Sequence, residues 1–72
     1  MTLKPSAKEQ LGQNVNRLRQ LRGLTQEGLA AAAQVDRRYV QRIEAGTGNP
    51  GVEVLTQLKQ ALRCRWEELL GK

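Results

Sequence analysis

Arg37, Arg38, Gln41 and Arg42 stand close together in one short stretch, and their side chains are of the kinds that read the edges of nucleic-acid bases. An arginine fork matches guanine and a glutamine amide matches adenine. At roughly 100° per residue the four share an arc of about 140° on a helix, with Tyr39, Val40 and Ile43 on the other side. Any surface helix also turns its charge outward, so the arc alone leaves two readings open, a solvated face and a base-reading face.

Catalytic chemistry has much less to stand on. The chain contains no histidine, and Ser6 is its only serine, so no hydroxyl nucleophile has the usual general base. Cys64 is the only cysteine, which rules out an internal disulfide and a Cys/His metal cluster. The expectation is a protein that is not an enzyme and needs neither metal nor cofactor. Cys64 and Trp66 read most simply as core residues. No apolar run is long enough to span a bilayer and no signal-peptide pattern is visible, so a cytoplasmic location is expected.

Twelve Lys and Arg against seven Asp and Glu give a net charge of +5, which suits a polyanionic partner but is also common in small soluble domains. The surplus is not in the arginine stretch. Residues 25–46 hold three bases and three acids, whereas residues 1–24 hold five bases and one acid. Direction, not local net charge, has to carry any argument from Arg37, Arg38 and Arg42.

The elements that would position this face follow from caps and periodicity. With 72 residues, one domain is expected, and most apolar side chains must be committed to its core. After a tail at 1–5, Ser6 and Glu9 form a capping-box pattern, and Leu11, Val15, Leu18 and Leu21 recur at helical spacing until Gly23. Thr25 caps a second helix whose inward face is Leu29, Ala30 and Ala33, small residues that permit close helix approach. Asp36 caps a third helix from Arg37 to Ala45, stopped by Gly46. Thr47 to Gly51 is turn chemistry, and Val52, Leu55, Leu58, Ala61 and Leu62 give a fourth helix. Trp66, Leu69 and Leu70 make a short fifth. The fold class is all-α, five helices in one unit over residues 6–71, with the central pair at about 25–33 and 36–45.

The pattern Leu24-Thr25-Gln26-Glu27 before Leu29-Ala30, followed by Val35-Asp36, Tyr39-Val40, Ile43-Glu44-Ala45-Gly46 and Asn49-Pro50, resembles the helix-turn-helix domain of phage repressors and Cro proteins, the Xre-type regulators. The similarity extends from Leu11-Gly12 to Leu69-Leu70. It implies a transcriptional regulator binding double-stranded DNA, with the third helix as recognition helix and Arg37, Arg38, Gln41 and Arg42 as base readers. It places phosphate contacts at Thr25 and Gln26 of the second helix and at Thr47 and Asn49 before the fourth, where a helix dipole favours an anion. Arg19 and Glu44 occupy positions that form an internal ion pair in that family. Arg17 and Arg22 read as solvated charges, with an outer phosphate contact as the alternative for Arg17. Tyr39 reads as a packing residue whose hydroxyl could reach a phosphate. Asp36 reads as a cap, with a contact to cytosine as the alternative.

Family members usually bind palindromic sites as dimers, so the resemblance implies a homodimer, with a patch of Val54, Trp66 and Leu70 as candidate surface. With no effector domain and no evident ligand pocket, such a protein would act by occupancy, blocking RNA polymerase or touching it from upstream. The run Asp36-Arg37-Arg38-Tyr39-Val40 is similar to controller proteins of restriction-modification systems. Three positions depart from the family: Gln34 replaces a turn glycine, Gly28 replaces an acid that would complete a capping box, and Lys59 replaces a small apolar residue. Two rival readings remain: a protein-interaction module of the antitoxin or bridging-coactivator type, and a non-specific or RNA-binding basic domain. The second does not require arginines on a recognition helix.

Overall fold

Side-chain caps start the first three helices of the chain where hydroxyl and carboxylate residues precede their apolar faces. The computed structural model describes residues 5–71, so the expected tail, apart from Pro5, lies outside the described residues. Five helices form among the described residues: α1 Ala7–Leu21, α2 Gln26–Ala33, α3 Arg37–Glu44, α4 Val52–Leu62 and α5 Trp66–Leu70. At α1 the Ser6 hydroxyl accepts the Glu9 N–H at 3.2 Å while Glu9 Oε1 accepts the Ser6 N–H at 2.9 Å, a reciprocal capping box. At α2 Thr25 Oγ1 accepts the Gly28 N–H at 2.9 Å, and glycine offers no carboxylate to complete the box. At α3 Asp36 Oδ1 accepts the Arg38 N–H at 2.8 Å.

Helix α3 ends one residue before the expected Ala45, which is the C-cap, and Gly46 follows at φ +82. Glycine adopts that left-handed conformation without a Cβ penalty, and the turn lets the Gly46 N–H reach the Ile43 carbonyl at 3.0 Å. Between α2 and α3, Gln34 takes the same conformation, φ 59 and ψ 43, without being glycine. The Val35 N–H then closes back on the Ala30 carbonyl at 2.9 Å. Gln34 thus takes a left-handed conformation, in which its side chain costs about 1 to 2 kcal/mol of backbone strain.

The core joins Leu11, Val15 and Leu18 of α1 to Leu29, Ala30 and Ala33 of α2, Val40 and Ile43 of α3, Leu58 and Leu62 of α4, Cys64, and Leu69 of α5. Helices α1 and α2 both pack on α3, while α4 packs on α2 and α5 on α1. The α1–α3 contact depends on Gly12, where an added Cβ would collide with the backbone carbonyls of Ile43 and Glu44. Asn14, a polar residue, is wholly buried. Its Nδ2 donates to the Leu69 and Gly71 carbonyls at 2.8 and 2.7 Å, and its Oδ1 accepts from Gln10, which ties α5 to α1.

Four expectations about apolar faces are corrected. Leu21 is 69% exposed, because α1 ends there and Leu24 beyond the turn packs on the core instead. Val52 is 75% exposed in the first turn of α4, ahead of the part of that helix that meets the core. Trp66 is 38% exposed, since the five residues of α5 bury Leu69 and leave the indole at the rim under Lys59 Nζ, 5.6 Å from the ring centroid. No pocket was evident from residue types, yet Leu11, Pro50, Leu55 and Leu70 line an apolar groove of about 690 Å³ that runs from the start of α1 to the end of α5. Cys64 is buried as expected, and burial pushes its thiol up, away from the reactive thiolate.

Candidate nucleic-acid interface

The outer face of α3 is built from a helix whose other side leaves little freedom. Val40 and Ile43 are fully or almost fully buried, and Tyr39 is partly buried against the same core. Arg37, Arg38, Gln41 and Arg42 are exposed. Arg37 and Arg42 have no ion-pair partner among the described residues. Arg38 Nε stands 3.6 Å from Asp36 Oδ1, with both side chains open to solvent. Asp36 serves as the cap, and the Arg38 N–H bond, aided by the Arg38 and Arg37 charges, holds its carboxyl below the usual range.

The inner end of the same helix is tied by Glu44. Arg19 donates to it twice, Nε to Oε2 at 2.7 Å and Nη2 to Oε1 at 3.1 Å, in a forked pair. Asn16 Nδ2 and Gln26 Nε2 also donate to Oε1, at 2.8 and 3.1 Å. Arg19 Nη1 reaches the Leu24 carbonyl at 2.9 Å, which fixes the α1–α2 turn. One carboxylate thus joins α1, α2 and α3. The side chains of Arg19 and Glu44 are 14% and 5% exposed. Burial alone would push the Glu44 carboxyl up, but the bonds from Arg19, Asn16 and Gln26 and the guanidinium charge outweigh it and hold the group below the ordinary carboxylate range. The bond to Glu44 likewise raises Arg19, against the pull of desolvation.

The residues expected at phosphates are distributed unevenly. Thr25 is exposed at the start of α2, and its hydroxyl hydrogen remains free to donate while its oxygen caps the helix. Gln26 is half-buried, with one amide hydrogen committed to Glu44 and the other still available. Thr47 and Asn49 precede α4 without belonging to its first turn, since Gly51 is the N-cap of that helix and carries no capping side chain. The Thr47 hydroxyl donates to the Arg42 carbonyl at 3.3 Å, so it finishes α3. Asn49 is exposed beside the apolar groove. Arg17 is exposed on α1. Arg22 is not a simple solvated charge: Nε and Nη2 donate to the Leu62 and Arg63 carbonyls at 2.7 and 2.9 Å, closing the C-terminus of α4. The bonds of Asn14, Asn16 and Arg22 join elements that are distant in sequence, and the residue types alone carried no signal of them.

Two short helices joined through Ala30, Gln34 and Val35, the second presenting a basic and amide outer face, define a helix-turn-helix. The helix-turn-helix family model matches residues 15–69, and the chain belongs to this family of DNA-binding transcriptional regulators, in its Xre-type branch. It is 40% identical over 60 residues to the uncharacterized HTH-type transcriptional regulator y4dJ of Sinorhizobium fredii (strain NBRC 101917 / NGR234), covering 83% of this chain and 78% of that one. Among solved structures, the restriction-modification controller protein C.AhdI of Aeromonas hydrophila superposes with a TM-score of 0.82 at 35% identity, over 86% of this chain and 94% of that one. The clp gene regulator ClgR of C. glutamicum superposes with a TM-score of 0.88 at 27% identity, over 97% and 90%. No described helix is long and apolar enough to cross a membrane.

Proposed function

We propose that the protein is a sequence-specific double-stranded DNA-binding regulator that reads the major groove with α3, as a homodimer on a palindromic operator in the cytoplasm. The observation that carries this reading is the division of α3 into a face held by Val40, Ile43 and the Glu44 clamp and a face of exposed Arg37, Arg38, Gln41 and Arg42. Base discrimination needs donors held in a fixed frame, and the clamp supplies the frame. Thr25, Gln26, Asn49 and Arg17 are the proposed phosphate contacts that set orientation, and Thr47, whose hydroxyl and N–H both go to the Arg42 carbonyl, joins them only by giving up one of those bonds. In this reading Gln26 receives a phosphate with the amide hydrogen that Glu44 leaves free.

Self-association is supported by the apolar groove, which Leu55 and Leu70 help to line, and by the exposure of Leu70 and Trp66 on α5, while Val54 of α4 is part-buried against the core. A domain this small covers few base pairs alone, and pairing on two half-sites about one helical turn apart would supply the missing contact area. The likeness to the controller protein C.AhdI supports the narrower reading of a controller-type regulator, acting by excluding RNA polymerase or by touching it from an upstream site.

Selection of bound fragments from genomic DNA gives the operator, its symmetry and its spacing together. A base-substitution series on that operator then tests the reading: binding should drop at particular base pairs in each half-site and weaken steeply with salt. Equal affinity for every DNA sequence would overturn it, and retention of an acidic protein without DNA discrimination would point to an interaction module.

A further inference from the structure

We infer that Asp36 is a positioning residue for Arg38, setting which base pair that arginine discriminates, in addition to capping α3. The inference rests on α3 being the base-reading helix. One oxygen, Oδ1, accepts the Arg38 N–H at 2.8 Å and also stands 3.6 Å from the Arg38 Nε. Backbone and guanidinium of the same residue are therefore gathered on one atom, and the Arg38 side chain is drawn back toward the first turn of the helix. That turn is the part of a recognition helix that meets base edges. Arg37 and Arg42 have no comparable tether among the described residues. The three arginines of α3 are thus not equivalent: Arg37 and Arg42 have no carboxylate beside them among the described residues, and Arg38 is biased toward the first turn by a loose contact with one.

An exposed ion pair of this length contributes little to folding, so its consequence lies in orientation and in charge. A guanidinium held near the helix start has fewer phosphates within reach than a free one, and its fork is presented in fewer directions. The carboxylate also places a negative charge at the entrance of the groove, which opposes non-specific contact with the DNA backbone. Both effects raise the ratio of specific to non-specific binding.

The substitution Asp36→Asn separates capping from charge, because asparagine caps a helix about as well as aspartate and keeps the acceptor oxygen while removing the charge. Asp36→Asn, Arg38→Ala and the double variant are compared with the unaltered protein in thermal unfolding and in a base-substitution series on the selected operator. The expected result for Asp36→Asn is an unchanged unfolding midpoint, discrimination reduced about two- to fivefold at the one base pair that Arg38→Ala also affects, and tighter binding to unrelated DNA. The double variant should then be no less selective than Arg38→Ala alone, since the two residues act as a unit. Discrimination by Asp36→Asn equal to that of the unaltered protein would overturn the inference, and so would a uniform loss of affinity accompanied by a lower midpoint, which would mark Asp36 as a cap alone. Failure of the unaltered protein to discriminate any base pair would overturn the base-reading function itself, together with this inference.

Discussion

Two groups of arginines in this protein are alike in residue type and opposite in situation. Arg19 and Arg22 spend their donors inside the molecule, on Glu44 and Leu24 in one case and on the Leu62 and Arg63 carbonyls in the other. Arg37, Arg38 and Arg42 lie on the open side of α3 with side-chain donors unspent among the described residues, apart from the loose contact of Arg38 with Asp36. The difference arises from what each helix face meets. Arg19 on α1 faces Glu44 of α3, and Arg22, just past the end of α1, meets the carbonyls that close α4, whereas the outer side of α3 is covered by none of the described helices. The inner group holds the frame and the outer group is left open to a partner.

The comparison breaks most completely at Glu44. Glu44→Ala leaves Arg19 as a largely buried charge and also removes the acceptor of Asn16 and Gln26, so a loss of about 3 to 5 kcal/mol is expected in chemical denaturation. Acid should act on the same carboxylate. Its folded pKa is depressed, so its contribution is fully present above the unfolded value of about 4.3 and fades as pH falls through the folded value. Stability measured against pH should therefore decline in the acid range, and the decline should be shallower in Glu44→Ala.

On the outer group the effect moves from folding to recognition. Arg42→Ala should change stability by no more than about 0.5 kcal/mol while costing about 1 to 3 kcal/mol at a particular base pair of the operator. A comparable loss on every DNA tested would place Arg42 among phosphate contacts. Gln26→Ala tests the boundary between the groups: it should weaken binding evenly across sequences and, because the amide donates to Glu44, also lower stability by about 1 kcal/mol. The smallest effect belongs to the turn joining α2 to α3. Gln34→Gly relieves a left-handed side chain at some entropic cost, and a net gain on the order of 0.5 to 1 kcal/mol with base discrimination intact is expected. Altered discrimination there would show that turn strain reaches the recognition face.

Most of the fold was legible because its signals are local. Ser6, Thr25 and Asp36 accept N–H groups two or three residues away, and the glycines after α1 and α3 adopt the positive φ expected of helix stops. The basic arc of α3 was legible for the same reason, since helical periodicity alone decides which residues share a face. Leu21, Val52 and Trp66 misled because periodicity says which side of a helix is apolar but not how far along it the neighbouring helices extend. Asn14 and Arg22 were opaque because their partners, carbonyls at the ends of α5 and α4, lie 40 or more residues away in sequence and carry no residue-type label.

The sequence by itself determined the helices, their caps and the clustering of Arg37, Arg38, Gln41 and Arg42 on one side of α3, because each depends on residues within one or two turns. The tertiary structure decided which charges stay free, giving Arg19 the Glu44 partner that the family resemblance implied and Arg22 a partner that nothing in the sequence signalled. A guanidinium is committed or available according to the acceptors that packing brings to it, and packing delivered a carboxylate to Arg19 and the end of a helix to Arg22, while leaving the arginines of α3 facing outward.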